Sequence, residues 1–208
     1  FVVEHYWRRF PTGTVHLVVV DPGVGTSRAA LAVHADHRFL LGPDNGVLSA
    51  ALLVPGARSV ALAVPAGASA TFHGRDVFAP AAAAICIGTP IDQLGTPMPA
   101  PTCLAWPAPQ QDADGRRFGE VLVVDRFGNA ITNLGAPAGP ARVRVGTHTV
   151  PVCRTYGDVA PGEALALVGS SGRLEVAVRE GSAAARLGLR RGTHVELVPD
   201  HGAGTVTG

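Results

Sequence analysis

The sequence predicts an α/β protein in two parts: an N-terminal domain on a mainly parallel, Rossmann-like sheet, and a C-terminal domain that is mostly β and barrel-like. Three observations carry that reading. Residues 14–88 alternate valine-rich runs with alanine-rich ones, as strands and helices taken in turn would. Prolines then crowd residues 90–109 with little periodicity. Beyond them come short apolar runs separated by glycine-containing turns, the pattern of a small barrel.

Taken in order, the chain opens at Phe1 inside a helix, because Val3, Tyr6, Trp7 and Phe10 fall at helical spacing. A domain that opens within an amphipathic helix points to a preceding segment missing from the sequence. Residues 15–20 read as a buried strand, and 29–35 and 38–41 as the next two. Residues 45–53 read as a short helix, 59–64 as a strand, and 76–87 as a helix with Asp76 placed to cap it. This half reads as doubly wound. In the second domain, residues 120–124, 130–134, 141–145, 164–168 and 174–178 read as strands. The expected organisation is an N-terminal domain over 1–93, a proline-rich linker over 94–117, a barrel domain over 118–200 and a flexible tail over 201–208.

At 208 residues, with 47% hydrophobic and 16% charged, the chain has the composition of a folded globular protein. Its net charge is +1, and its 17 basic residues, all arginine, are scattered in pairs such as Arg8-Arg9 and Arg190-Arg191. That argues against nucleic acid as a partner. Every apolar run is broken well before the roughly 20 residues a membrane helix needs, and no signal peptide is visible. The three cysteines, Cys86, Cys103 and Cys153, lack CxxC spacing, and reduced thiols in a cytoplasm are the simplest reading.

Four segments could carry chemistry. In Val18-Val19-Val20-Asp21-Pro22-Gly23-Val24-Gly25-Thr26-Ser27-Arg28, a strand ends in a carboxylate and a Pro-Gly turn. Ligands bind outside the carboxyl ends of strands in open α/β sheets. Asp21 reads equally as such a ligand group or as an ordinary turn residue. No third glycine and no Gly-Lys-Ser/Thr follows, which argues against a phosphate loop. In Thr71-Phe72-His73-Gly74-Arg75-Asp76, an imidazole suited to moving protons sits beside a glycine, although a structural histidine is the commoner case. In Asp125-Arg126-Phe127-Gly128-Asn129, a strand breaks at a tight turn; Phe127 offers an aromatic plane and Asn129 an amide suited to a purine or ribose. The alternative there is a plain hairpin turn. Gly169-Ser170-Ser171-Gly172-Arg173-Leu174-Glu175 likewise reads as a hairpin tip, and Ser182 as a helix cap.

Together, in this order, the four segments and Gly42-Pro43-Asp44-Asn45-Gly46 resemble the S-adenosyl-L-methionine hydroxide adenosyltransferase family, relatives of the fluorinases and chlorinases. The likeness runs from residue 1 to about residue 198. It implies hydrolysis of S-adenosyl-L-methionine to adenosine and L-methionine, with no cofactor and no metal. It also implies a homotrimer whose active sites lie between the N-domain of one subunit and the C-domain of the next. By the resemblance, Asp21, Arg28 and His73 hold and activate water. Phe127 and Asn129 surround the nucleoside, with Phe72 also on the substrate side. Ser170, Ser171, Glu175 and the backbone near Val178 form the wall facing methionine and adenine.

His73 and Gly74 stand where the halogen-using relatives carry Tyr with Gly or Ser, and Asp21 stands where they carry Tyr. Both departures favour water over halide. The family's first strand and the Asp that grips the ribose precede the point where this chain opens, so a non-catalytic nucleoside-binding protein is one alternative. A halogenase making a 5′-halo-adenosine is the other.

Overall fold

The computed structural model describes residues 1–200, and the tail expected over 201–208 lies outside them. The chain divides into two compact units, Phe1–Ala105 and Trp106–Gly208.

The first unit opens with α1 (Val2–Tyr6) and a 3-10 turn, Trp7–Arg9. Of the expected apolar stripe only Trp7 is buried, against Leu31, Val33, Leu40 and Leu48. Then follow β1 (Val15–Leu17), β2 (Ala30–Ala35), β3 (Arg38–Pro43), α2 (Ser49–Leu52), β4 (Arg58–Leu62), α3 (Ala79–Cys86) and β5 (Gly95–Pro97). The sheet order is β1-β3-β2-β4-β5.

Only β1 and β3 run parallel; the other three pairings are antiparallel. The mainly parallel, Rossmann-like sheet expected from the sequence is therefore corrected to a mixed one. The reason is the two-residue connection between β2 and β3, where Asp36 and His37 both take positive φ, 47° and 57°. That geometry makes a tight hairpin, whereas a parallel crossover needs a dozen residues or more. The strand β2 hid this, because Ala30 and Ala32 enter one apolar cluster while Leu31, Val33 and Ala35 enter another. Burial on both faces writes a continuous apolar run, which is also how a parallel strand reads.

The helix expected over 76–87 is α3 preceded by a π-helical turn, Gly74–Phe78, so Asp76 lies inside the turn and caps nothing. The helix expected over 45–53 shrinks to α2.

The second unit contains β6 (Gln110–Gln111), β7 (Arg117–Val124), β8 (Ala130–Gly135), β9 (Ala141–Val145), β10 (His148–Pro151), β11 (Ala164–Val168), β12 (Arg173–Val178), α4 (Ala183–Leu187) and β13 (His194–Pro199). Its sheet runs β10-β9-β13-β7-β8-β12-β11, with β6 added on β7, and every strand pairing in it is antiparallel. Past the end of β10, Val152 bridges to Ala166 of β11, and Cys153 N–H donates to the Ala166 carbonyl at 2.8 Å. These contacts nearly close the sheet on itself, around a core that includes Val121, Leu134, Val143, Leu174, Val176 and Val195. In β9 buried and exposed residues alternate strictly, the signature of one face inward and one outward. The sequence reading had no strand at β10 or β13, the latter seated between β9 and β7. No helix among the described residues is long and apolar enough to cross a membrane.

Candidate active site

In the first unit the site is built where β1 leaves its sheet. Val18 N–H still donates to Leu41 C=O at 2.8 Å, and Gly42 allows that approach, since a Cβ on it would lie 2.6 Å from the Val18 carbonyl oxygen. The chain then departs, and Val19 and Val20 are exposed. Asn45 holds the departure point, its Nδ2 donating to Val20 C=O at 3.0 Å while its Oδ1 accepts Val47 N–H at 3.0 Å. Two tight turns follow, with Val24 N–H donating to Asp21 C=O and Thr26 N–H to Gly23 C=O.

They bring Arg28 back over Asp21. Arg28 Nε donates to Asp21 Oδ1 at 3.0 Å, and Nη2 donates to Oδ2. The two side chains are only 9% and 8% exposed. Desolvating both charges offsets most of their attraction, so stability alone does not explain a buried fork at a strand end.

His73 joins the pair from the other side. Its Nδ1 lies 2.8 Å from Arg28 Nη2. A guanidinium can only donate, so Nδ1 is the acceptor and the ring proton sits on Nε2. The fully buried Phe78 carries Arg28 from below, with Cζ 5.8 Å from the ring centroid. Asp21, His73, Phe72, Val19, Val24 and Phe78 line a cleft of about 220 Å³. Phe72 stands exposed at its lip, with the Arg75 guanidinium 4.9 Å above its ring. The arrangement can hold a small polar molecule against an anionic oxygen and an imidazole N–H.

In the second unit the turn between β7 and β8 is organised by Asp125, whose Oδ1 accepts Phe127 N–H at 2.8 Å and Asn129 N–H at 2.9 Å. Phe127 is 63% exposed at the tip, with Arg126 stacked 4.7 Å from its ring. Asn129 is buried; its Nδ2 donates to Asp125 Oδ2 at 3.1 Å and to the Tyr156 hydroxyl at 3.4 Å. Tyr156 donates in turn to Glu175 Oε1 at 2.7 Å. Ser170 and Ser171 occupy the turn between β11 and β12, just before Glu175 on the strand. Gly169 packs its Cα against that carboxylate, where a Cβ would come within 2.6 Å of Oε2. Val178 does not join the group: its side chain enters the barrel core and its C=O accepts Gly181 N–H at 3.2 Å.

Sequence reasoning missed Tyr156, the link between Asn129 and Glu175. The available signal was an aromatic next to glycine in a loop, where binding residues concentrate. Burial, and then the Glu175 carboxylate, push its phenol well above the ordinary tyrosine range. The stability contributed by the neutral phenol is fully present below pH of about 10 and is lost as pH rises through the raised value. An absorbance titration should therefore find one of the chain's two tyrosines resisting ionisation until alkaline unfolding, and Tyr156→Phe should abolish that late component. Ionisation of Tyr156 in the ordinary range would contradict the hydrogen bond to Glu175.

Gly128 is the hinge of the β7–β8 turn, at φ +86°, and a Cβ there would collide with Ser182. Ser182 Oγ caps α4 by accepting Ala185 N–H at 3.1 Å, and Gly128 C=O accepts Ala184 N–H at 2.9 Å. Gly128→Ala is expected to cost about 1–3 kcal/mol of backbone strain, measured as a lower urea midpoint at unchanged slope.

Among the described residues no group of three or more His, Cys, Asp or Glu is placed to hold a metal ion. The family model described as SAM hydroxide adenosyltransferase N-terminal domain matches residues 1–95, and the corresponding C-terminal domain matches residues 119–196. A Thermus thermophilus protein named (R)-S-adenosyl-L-methionine hydrolase is 47% identical over 201 residues, covering 90% of this chain and 77% of that one. A Salinispora tropica protein of the same name is 43% identical over 195 residues, covering 88% and 74%. The crystal structure of an uncharacterised conserved protein from Thermotoga maritima superposes with a TM-score of 0.81 at 35% identity, covering 95% of this chain and 81% of that one.

Proposed function

Because the chain belongs to the SAM hydroxide adenosyltransferase family, SAM being S-adenosyl-L-methionine, we propose that it is an enzyme that hydrolyses SAM to adenosine and L-methionine. The observation that carries the reading is the hydrogen-bonded cluster of Asp21, Arg28 and His73, of which Asp21 and His73 line one cleft.

The 5′ carbon of the substrate bears a sulfonium. Attack there expels a neutral thioether, which needs neither protonation nor a Lewis acid. The water oxygen forms the new bond to C5′, the C5′–S electron pair returns to sulfur, and one water proton must leave. With Nδ1 of His73 engaged by Arg28, Asp21 is the group with spare lone pairs, and it accepts that proton. His73 Nε2–H orients the water oxygen. Arg28 holds Asp21 aimed at the cleft, and placing water in line contributes at best about 7–11 kcal/mol.

Phe72 and Phe127 offer aromatic planes, Asn129 an amide for the nucleoside, and Ser170, Ser171 and Glu175 polar groups toward methionine and adenine. The relatives' names specify the (R) sulfonium, and we assign the same epimer to this chain. The reading extends to a cytoplasmic homotrimer, supported by the family resemblance and by unpaired Cys86, Cys103 and Cys153.

The test is product analysis after incubation with the two sulfonium epimers separately, with and without chloride. Adenosine and methionine from the (R) epimer, unaffected by chloride, support the proposal. A chlorinated nucleoside, or saturable binding without product, overturns it.

A further inference from the structure

We propose that Asp76 is a positioning residue for His73, closing the loop before the π-helical turn so that the imidazole is held against Arg28. Residues 65–72 belong to no strand or helix, yet His73, which follows them, must be placed within a hydrogen bond of Arg28. Asp76 supplies the closure. Its Oδ2 accepts the Ser69 backbone N–H at 2.8 Å, spanning from the middle of the loop to the first residues of the turn. The same carboxylate takes Arg75 Nε at 2.6 Å and Nη2 at 2.9 Å. Arg75 in turn lies over Phe72, the neighbour of His73.

From the backbone side, Arg75 N–H and Asp76 N–H both donate to Phe72 C=O, at 3.0 and 2.9 Å. The loop is also packed from outside, since Gly25 lies so close to it that a Cβ there would stand 2.9 Å from the Ala70 carbonyl oxygen. The π-helical turn then sets His73 beside Arg28 and Phe78 beneath it, so both contacts to the guanidinium come from one short segment. Single π-helical turns recur at functional sites for this kind of re-aiming. The ion pair with Arg75, and then the Ser69 N–H, hold the Asp76 carboxyl down at about 2, so the closure stays ionised across the working pH range.

The inference rests on the hydrolytic reading of His73, and its test separates the two. Asp76→Ala removes both the Ser69 and the Arg75 bonds, while Asp76→Asn keeps an acceptor for Ser69. With SAM as substrate, Asp76→Ala is expected to lower kcat by about 100-fold, the scale of a one-ångström misplacement, with KM little changed. Asp76→Asn should recover most of it.

Nitrogen-15 imidazole shifts, with the His73 signal identified by its loss in His73→Gln, give a second reading that needs no turnover. The parent should have an unprotonated Nδ1, and Asp76→Ala an average over both tautomers. An unchanged His73 signal in Asp76→Ala, or a variant in which kcat stays within about twofold of the parent, overturns the positioning role. A parent that releases no adenosine overturns the hydrolytic reading alone, and the imidazole shifts then still decide the role of Asp76.

Discussion

Asp21→Asn and His73→Ala should each slow adenosine formation by about 100-fold or more while leaving KM within a few-fold. The physical basis is the division of labour in the cleft. Asp21 carries lone pairs beyond those engaged by Arg28, and Asn in its place presents an N–H₂ group to one arm of the guanidinium and a much weaker base to water. His73 keeps its proton on the nitrogen away from Arg28, and Ala leaves nothing to orient the water. Neither side chain is assigned to binding the nucleoside or the methionine, so the loss should fall on turnover. Weakened affinity at unchanged turnover would contradict both roles.

Arg28→Ala should be more damaging, because it strikes fold and chemistry together. It leaves a carboxylate only 8% exposed without its partner, and breaking a buried pair from one side typically costs about 3–5 kcal/mol. It also removes the donor that fixes the His73 tautomer and the cation seated on Phe78. Arg28→Lys should not rescue it. An ammonium cannot span both Asp21 oxygens and His73 Nδ1 from one planar fork, and Lys differs from Arg most at such sites. Urea unfolding reads the stability loss, and kcat of the folded Lys variant reads the catalytic one. Near-parental stability and turnover in Arg28→Lys would mean that charge alone matters at this position.

How legible all this was in the sequence differs between the two halves. The barrel half announced itself, since Ala141-Arg142-Val143-Arg144-Val145 alternates as a half-buried strand must. β13 was lost because its apolar positions stand among Pro, His and Glu. In the other half the strands were visible but their directions were not. A strand buried on both faces carries no record of its neighbour's direction, and only the two-residue gap at Asp36-His37 records the hairpin. For the site, Asp21 at a strand end and His73 beside a glycine could be suspected from their residues. Arg28 gained its place from the family resemblance, its side chain reaching His73 across 45 residues of sequence. Tyr156 and Asp76 were out of reach for another reason. Tyr156 lies 27 residues from Asn129 and 19 from Glu175, and Asp76 resembled a helix cap until the π-helical turn placed it inside. Roles that exist only as side-chain hydrogen bonds in the folded chain leave no local pattern.

The claim on which the whole account depends is that a water molecule held by Asp21 and His73 becomes the 5′ hydroxyl of the product. Running the reaction in oxygen-18 water and weighing the adenosine by mass spectrometry tests it directly. The heavy oxygen is expected at the 5′ position of every adenosine formed, with none in the methionine, and at a rate that collapses in Asp21→Asn. Adenosine lacking the label, or labelled adenosine released just as fast by Asp21→Asn, would contradict it.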